Sequence, residues 1–319
     1  MEKTIVLALG GNAILQPGQK GTYTEQLENV QKTCTSIAEL LDNGYQIVIT
    51  HGNGPQVGNI ATQQIAARDK VPPMPLDICG SQTQGFMGYM IQQSLGNILR
   101  ERGVNRPVVS LVTQVCVSED DPAFKRPTKP VGGFVSKEEA EKIMAETGEK
   151  WVEDSGRGWR KVVYSPKPLE IVEMPVIKTL IKSGAIVISS GGGGIPVIKK
   201  DGKLQGVEAV IDKDRAASLM ARQLAADMLV ILTDVPRVAI NYGKPDQRFL
   251  DRLTISEAEK LLKEGHFGEG SMLPKVEAAI SFAGTGKEAV IASLDQVKEA
   301  IEGSAGTRFQ PSKTYSSVS

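Results

Sequence analysis

The sequence predicts an α/β protein in which an open, mainly parallel sheet lies between helices, with a small subdomain inserted midway. Three observations carry that expectation. Short runs rich in Val and Ile alternate with helix-period patterns from the first residues onward. These runs are apolar throughout rather than at every second residue, as strands buried on both faces are. Three of them empty into glycine-rich turns, the pattern expected where a parallel sheet presents a ligand site beyond its strand ends.

The elements follow in order. Strands are expected at 4–9, 45–50, 107–113, 185–189, 228–232 and 287–292. The first helix is announced by Thr22-Tyr-Thr-Glu25, a capping box, and carries Leu27, Val30, Cys34, Ile37 and Leu41 on one face before Gly44 stops it. Further helices are expected at 54–69, 80–102, 169–183, 214–226, 256–265, 272–284 and 295–302. Residues 118–168 break the alternation. They are rich in Lys, Pro and Gly, hold both tryptophans, and show one short helix at 136–147 opened by Ser136-x-x-Glu139. This stretch reads as an inserted lid within a single domain of residues 1–309, between an amino-terminal half (1–180) and a carboxy-terminal half (181–309). Asp201-Gly202, between two short apolar runs, predicts a hairpin. Residues 310–319 read as a polar tail.

Composition narrows the function. The chain has 319 residues, 40% of them apolar, and 37 basic residues balance 37 acidic ones. No global basic field exists to hold nucleic acid or an anionic membrane, so neither partner is expected. Cys34, Cys79 and Cys116 are far apart without a C-x-x-C pair, which suits buried thiols in a reducing compartment. Two histidines, His51 and His266, leave little for a zinc site. Gly10, Gly11 and Asn12 interrupt the only signal-like apolar start, and a cytoplasmic protein is expected.

The glycine-rich turns are GGN (10–12), HGNGPQVG (51–58) and SGGGGIPV (190–197), joined by TDV (233–235) after the strand at 228–232. Glycine lets backbone N–H groups approach an anion closely, and Pro55 places a helix N-terminus behind the second turn. Neither the dinucleotide fingerprint G-x-G-x-x-G nor a Walker loop matches; AGTGKEA (283–289) lacks the required first glycine and follows its Lys with Glu288. Protein-kinase signatures are absent. Positive charge must therefore come from elsewhere. The candidates are Lys213 in VIDKDRAA, Lys275 in GEGSMLPKV and Lys129 in RPTKPVGG, the last held between Pro127 and Pro130. Any one of these lysines alone reads as surface. Beside the glycine turns they read as the charge of an anion site.

The ordered set ALGGNAI, HGNGPQVG, PTKPVG, SPKPLEIVE, GGGGIPV, AVIDKD, ILTDV and GSMLPKV resembles the carbamate kinases, of the amino-acid kinase superfamily, over residues 4–309. PTKPVG with SPKPLEIVE separates these enzymes from their acetylglutamate, aspartate, glutamate 5- and uridylate kinase relatives. The resemblance implies a three-layer α/β/α homodimer. It implies reversible phosphoryl transfer between ATP and carbamate with Mg2+, run toward ATP in fermentative arginine degradation by the arginine deiminase route. It places the acceptor at Gly10, Gly11, Asn12, Gly52 and Asn53, and catalysis at Lys129, Lys213 and Lys275, with Asp214 orienting lysines. It places the nucleotide at Asp234, Val235, Tyr242 and Met272.

The chemistry agrees with that pattern. Phosphoryl transfer needs positioning and charge neutralisation, which lysines and backbone N–H groups supply. A carboxylate-type acceptor is already ionised and needs no general base, and neither His51 nor His266 has an evident carboxylate partner in sequence. Both read as structural. No protein ligand of the metal stands out, although Asp214 is a candidate outer partner. Two alternatives stay open: another acyl-phosphate-forming kinase of the superfamily, or a non-catalytic nucleotide-sensing module. Against the first, Thr4–Leu9 lacks the lysine that many relatives carry there.

Overall fold

The computed structural model describes residues 3–16, 18–154, 156–268 and 272–311. Gly270 and Ser271 of the GSMLPKV motif and residues 312–319 of the tail lie outside the described residues, as does the side chain of Asn12. In chain order the strands are β1 (Thr4–Leu9), β2 (Gln46–His51), β3 (Val108–Ser110), β4 (Gln114–Cys116), β5 (Lys129–Val135), β6 (Lys150–Glu153), β7 (Trp159–Val163), β8 (Glu170–Ile171), β9 (Ile186–Ile188), β10 (Ile195–Lys200), β11 (Lys203–Gly206), β12 (Met228–Thr233), β13 (Ala239–Ile240), β14 (Arg248–Phe249), β15 (Arg252–Thr254), β16 (Glu288–Ser293) and β17 (Thr307–Gln310). The helices are α1 (Tyr23–Leu41), α2 (Gly54–Ala66), α3 (Leu76–Glu101), α4 (Lys137–Thr147), α5 (Met174–Lys182), α6 (Lys213–Leu224), α7 (Ile255–Lys263), α8 (Met272–Ala283) and α9 (Val297–Glu302).

Among the described residues the main sheet has eight strands in the order β15-β17-β16-β12-β1-β2-β9-β3. Every pairing in it is parallel except β16 with β17. The continuous apolar runs are explained by burial on both faces. Ile5, Leu7, Leu9, Ile47, Ile49 and Val230 face one core with Val30, Cys34 and Ile37 of α1, Met87 and Ile91 of α3, and Val297 of α9. Val6, Ala8, Val48, Leu229 and Ile231 face the other with Ile177 of α5, Met220 of α6 and Phe282 of α8. The architecture is therefore helix layer, sheet, helix layer.

Local signals account for most element ends. In the α1 capping box, Thr22 Oγ1 accepts from Glu25 N at 3.3 Å and Glu25 Oε2 accepts from Thr22 N at 2.8 Å. Asp201 and Gly202, both left-handed at φ 50° and 74°, turn β10 into antiparallel β11 as expected of a two-residue hairpin. At α4 only half of the expected box forms, with Ser136 Oγ accepting from Glu139 N.

Several expectations need correction. The strand expected at 107–113 keeps only 108–110, because Thr113 N donates to Gln84 Oε1 and leads the chain into β4 of a second sheet, ordered β11-β10-β4-β8. The helix expected at 169–183 opens instead as β8, paired with β4, and begins at Met174; Pro175 and the Glu173 carboxylate, bound to Gln114 N and Nε2, set that start. The helix expected at 80–102 begins at Leu76, and that expected at 54–69 ends at Ala66. The last strand, β17, lies where no element was expected and takes in Gln310 of the supposed tail. Within 118–168 the chain builds an antiparallel sheet, β5-β7-β6, beside α4.

Among the described residues no helix is long and apolar enough to cross a membrane.

Candidate active site

The strand ends of β1, β2, β9 and β12 bring their turns together. Gly10 follows β1 so closely under β12 that a Cβ there would lie 2.7 Å from the Leu232 carbonyl oxygen. Gly11, Asn12 and Ala13 make a short 3-10 turn. Gly52 N donates to Leu9 O at 3.0 Å, tying the second turn to the first. Asn53 caps the start of α2 and donates through Nδ2 to Thr83 Oγ1 at 2.7 Å. Turn 190–194 closes over these groups. A Cβ at Gly192 would meet the Asn53 amide at 2.1 Å, and φ at that residue is +67°, so only glycine fits.

The cations arrive from three other elements. Asp212 caps α6, its Oδ1 accepting from Asp214 N at 2.9 Å and Arg215 N at 3.3 Å. Its Oδ2 pairs with Lys129 Nζ of β5 at 2.5 Å. Asp214, two residues on, holds Lys213 Nζ at 2.5 Å on one oxygen and Lys275 Nζ of α8 at 3.3 Å on the other. The stem of Lys213 runs across Gly52, where an added Cβ would sit 3.1 Å from Lys213 Cδ. Two buried carboxylates thus orient three lysines, and the first lysine belongs to the inserted sheet.

Electrostatics follow the packing. Burial pushes the Asp212 carboxyl up, but the Lys129 charge and hydrogen bond, then Lys213, outweigh it and hold the pKa well below the carboxylate range. Burial lowers the Lys213 pKa, Asp214 opposes that fall, and the neighbouring Lys275 adds to it. His51 ends β2 fully enclosed, with Nδ1 3.1 Å from Gly52 O. Burial carries its pKa down from 6.5 to about 4, against the Gly52 hydrogen bond and with some help from Lys213. It is neutral at pH 7 and buttresses Gly191, where a Cβ would meet its Nε2 at 2.4 Å.

Two cavities meet at Lys275. One of about 410 Å³ is lined by Gly10, Gly11, Lys213, Asp234 and Lys275, among others. The other, of about 660 Å³, is lined by Asp234, Val235, Tyr242 and Met272, the four residues expected to hold nucleotide, and again by Lys275. Thr233, Asp234 and Lys275 are common to both, so the two form one cleft with a small compartment and a large one. A third concavity of about 730 Å³, beside α3 and Arg106, carries neither glycine turn nor paired lysine.

Sequence reasoning left out several lining residues. Asp212 was visible as a flanking aspartate, and its N-cap position was the signal for its role. Asn241, Lys244 and His266 line the larger compartment, His266 with Nε2 3.5 Å from Glu264 Oε2. Arg157 reaches that compartment from the inserted subdomain, stacked 5.0 Å above the Phe134 ring and paired with Asp154 at 3.0 Å. No local motif marks it. AGTGKEA, by contrast, lines neither compartment, and its Lys287 pairs with Asp227 at 3.1 Å where β16 begins.

Comparison with known proteins agrees with this fold. The Amino acid kinase family matches residues 3–293. The chain is 55% identical over 310 residues to the carbamate kinase of Thermococcus kodakarensis, covering 96% of this chain and 98% of that one. It is 51% identical over 316 residues to the carbamate kinase of Pyrococcus horikoshii, covering 98% and 100%. The solved structure of carbamate kinase from Giardia lamblia bound to AMP-PNP superposes with a TM-score of 0.90 at 48% identity, covering 98% of this chain and 99% of that one.

Proposed function

This chain belongs to the carbamate kinases of the amino acid kinase family, and from that premise we propose that it moves a phosphoryl group between carbamoyl phosphate and ADP, working toward ATP in fermentative arginine degradation. The observation that carries the reading is the two-compartment cleft whose shared wall bears Lys275, with Lys213 and Lys129 tied to the same carboxylate pair.

In this reading the large compartment takes the nucleotide, as the AMP-PNP complex of the Giardia lamblia relative suggests. The small one takes carbamate or its phosphate, since glycine turns leave room and backbone donors for a small planar anion. The transferring phosphoryl group passes beside Lys213 and Lys275. Their charges, oriented by Asp214 before substrate arrives, stabilise the negative charge that spreads over the phosphoryl oxygens. Lys129 closes the acceptor side from the inserted subdomain, which acts as a lid. Carbamate oxygen is anionic already, so His51 can stay neutral and structural.

Mg2+ is the expected cofactor. Asp212 and Asp214 are engaged by lysines, which leaves Asp234, common to both compartments, and Asp295 of the small one as carboxylates beside the reacting space, a sparse donor set that suits an ion carried on nucleotide phosphates rather than in a protein cage. When bound, the ion neutralises phosphate charge. We propose a cytoplasmic homodimer.

The test is ATP formation. Purified protein with ADP, Mg2+ and carbamoyl phosphate is expected to produce ATP, whereas acetyl phosphate and N-acetylglutamyl phosphate give far less. Failure to form ATP at high enzyme concentration, with ADP binding confirmed calorimetrically, overturns the assignment.

A further inference from the structure

Three of the six glycines in α2 and α3 face open space, since a Cβ added at Gly54, Gly80 or Gly85 would meet nothing within 4 Å, and the near neighbour of Gly88 is the Ser110 side chain. Gly58, at the middle of α2, differs. A Cβ there would fall 1.9 Å from Gly132 Cα, 2.1 Å from Gly132 N and 3.2 Å from Val131 C. The obstacle is the backbone of β5, which has no rotamer to give. Glycine inside a helix costs about 1 kcal/mol relative to alanine, so its use here needs a reason. The reason is that α2 and β5 touch main chain to main chain.

That contact is the seat of the inserted subdomain. Val57 on α2 packs with Val131 and Val163 of β5 and β7 and with Cys79 of α3 in a small buried cluster of its own. Gly132 is further fixed by its carbonyl, which accepts from Arg160 Nε at 3.1 Å. Three residues before Gly132 on the same strand stands Lys129, whose Nζ meets Asp212 at 2.5 Å. At the other end of the contact, α2 starts from Asn53 and Gly52, beneath the stem of Lys213. Four helical steps of about 1.5 Å separate Gly54 from Gly58, so α2 is a short rigid ruler between the acceptor turn and the lid strand.

We propose that Gly58 is a positioning residue for Lys129: the missing side chain sets how deeply β5 seats on α2, and so whether the Lys129 ammonium reaches Asp212 and the acceptor. A methyl at position 58 forces β5 outward by the width of that group. Lys129 then withdraws, while the large compartment, walled mainly by other elements, is left as it was. The inference rests on the kinase reading above for its activity readout.

The experiment compares Gly58→Ala with Gly85→Ala, the same substitution inside α3 with open space around it, each alone and combined with Lys129→Ala. Gly58→Ala is expected to lower kcat for ATP formation by about tenfold or more with ADP affinity held within about twofold, while adding less than about twofold in the Lys129→Ala background, since effects that run through one group do not add. Gly85→Ala is expected to leave kcat near wild type. Equal losses from Gly58→Ala in both backgrounds, or a wild-type kcat, overturn the proposal. If Gly58→Ala does not fold, Val131→Ala loosens the same seat without overfilling it and enters the same cycle. Hydrogen exchange at residues 129–135 gives a readout independent of substrate. Faster exchange in Gly58→Ala than in Gly85→Ala supports the seat even if the wild type forms no ATP, and equal exchange overturns it.

Discussion

Asp214 accepts from Lys213 and Lys275 with its side chain almost wholly enclosed, so neither lysine can be removed without leaving the other to neutralise the carboxylate alone. Each ammonium is then diverted from the phosphoryl oxygens that we propose it serves. Lys213→Ala and Lys275→Ala should each lower kcat by about 10²–10³, the loss found when one oriented donor is taken from a developing anion. Steady-state ATP formation checks this, and near-normal kcat in either variant removes that lysine from the catalytic set. His51 makes a different prediction, about stability. Its folded pKa, about 4, lies below its ordinary 6.5, so the unfolded chain takes up the proton first. The contribution is complete above about pH 6.5 and is lost as pH falls toward about 4, in total of order 3 kcal/mol. Urea midpoints of wild type should fall between pH 7 and pH 4.5 more steeply than those of His51→Gln; parallel curves would show that the ring does not titrate with folding.

The helix α6 joins structure and chemistry in one residue, because Asp212 caps it and also grips Lys129. The two roles separate by substitution. Asn is as good a cap as Asp, so Asp212→Asn should keep stability within a few tenths of a kcal/mol from capping while losing the charge that holds Lys129. A charged hydrogen bond contributes about 1.5–3 kcal/mol, which predicts a fall in kcat of about 10- to 100-fold. Asp212→Ala should show the same kinetic loss and about 1 kcal/mol less stability, read from urea unfolding. An Asn variant with full activity would free Lys129 from Asp212. Elements of this kind were legible in advance where a cap or turn residue marked them, as at Thr22, Asp201-Gly202 and Pro55. The misread ones were decided by distant partners. Glu170–Ile171 has no strand signal of its own and extends only because β4 lies beside it. The short β17 is called into the sheet by β15 and β16.

Across the whole molecule, the glycine turns and lysine loops were legible because each carries its own local signature, and the alternation of strand and helix dictated that they share one edge. Arg157 was not, since its place depends on how β5-β7-β6 folds over the cleft. The fold has two large cores on either side of the main sheet and a small third cluster where the inserted subdomain meets α2 and α3. A cysteine happens to sit in or beside each: Cys34 on α1 in one main core, Cys116 on β4 in the second sheet, and Cys79 in the small cluster. All three are free and buried. Burial raises the pKa of every one, that of Cys34 to about 12, so thiolate forms only when the surroundings open. The native protein should therefore resist an aromatic disulfide reagent that titrates three thiols at once in denaturant. In low urea the order of reaction should follow the size of the opening needed. Cys79 should react first, through release of four buried side chains in the small cluster between β5, β7, α2 and α3, and Cys34 last, with global unfolding. Mass spectrometry of the labelled cysteines reads the order directly. Cys34 labelling as fast as Cys79 would mean that the small cluster and the main core open as one unit.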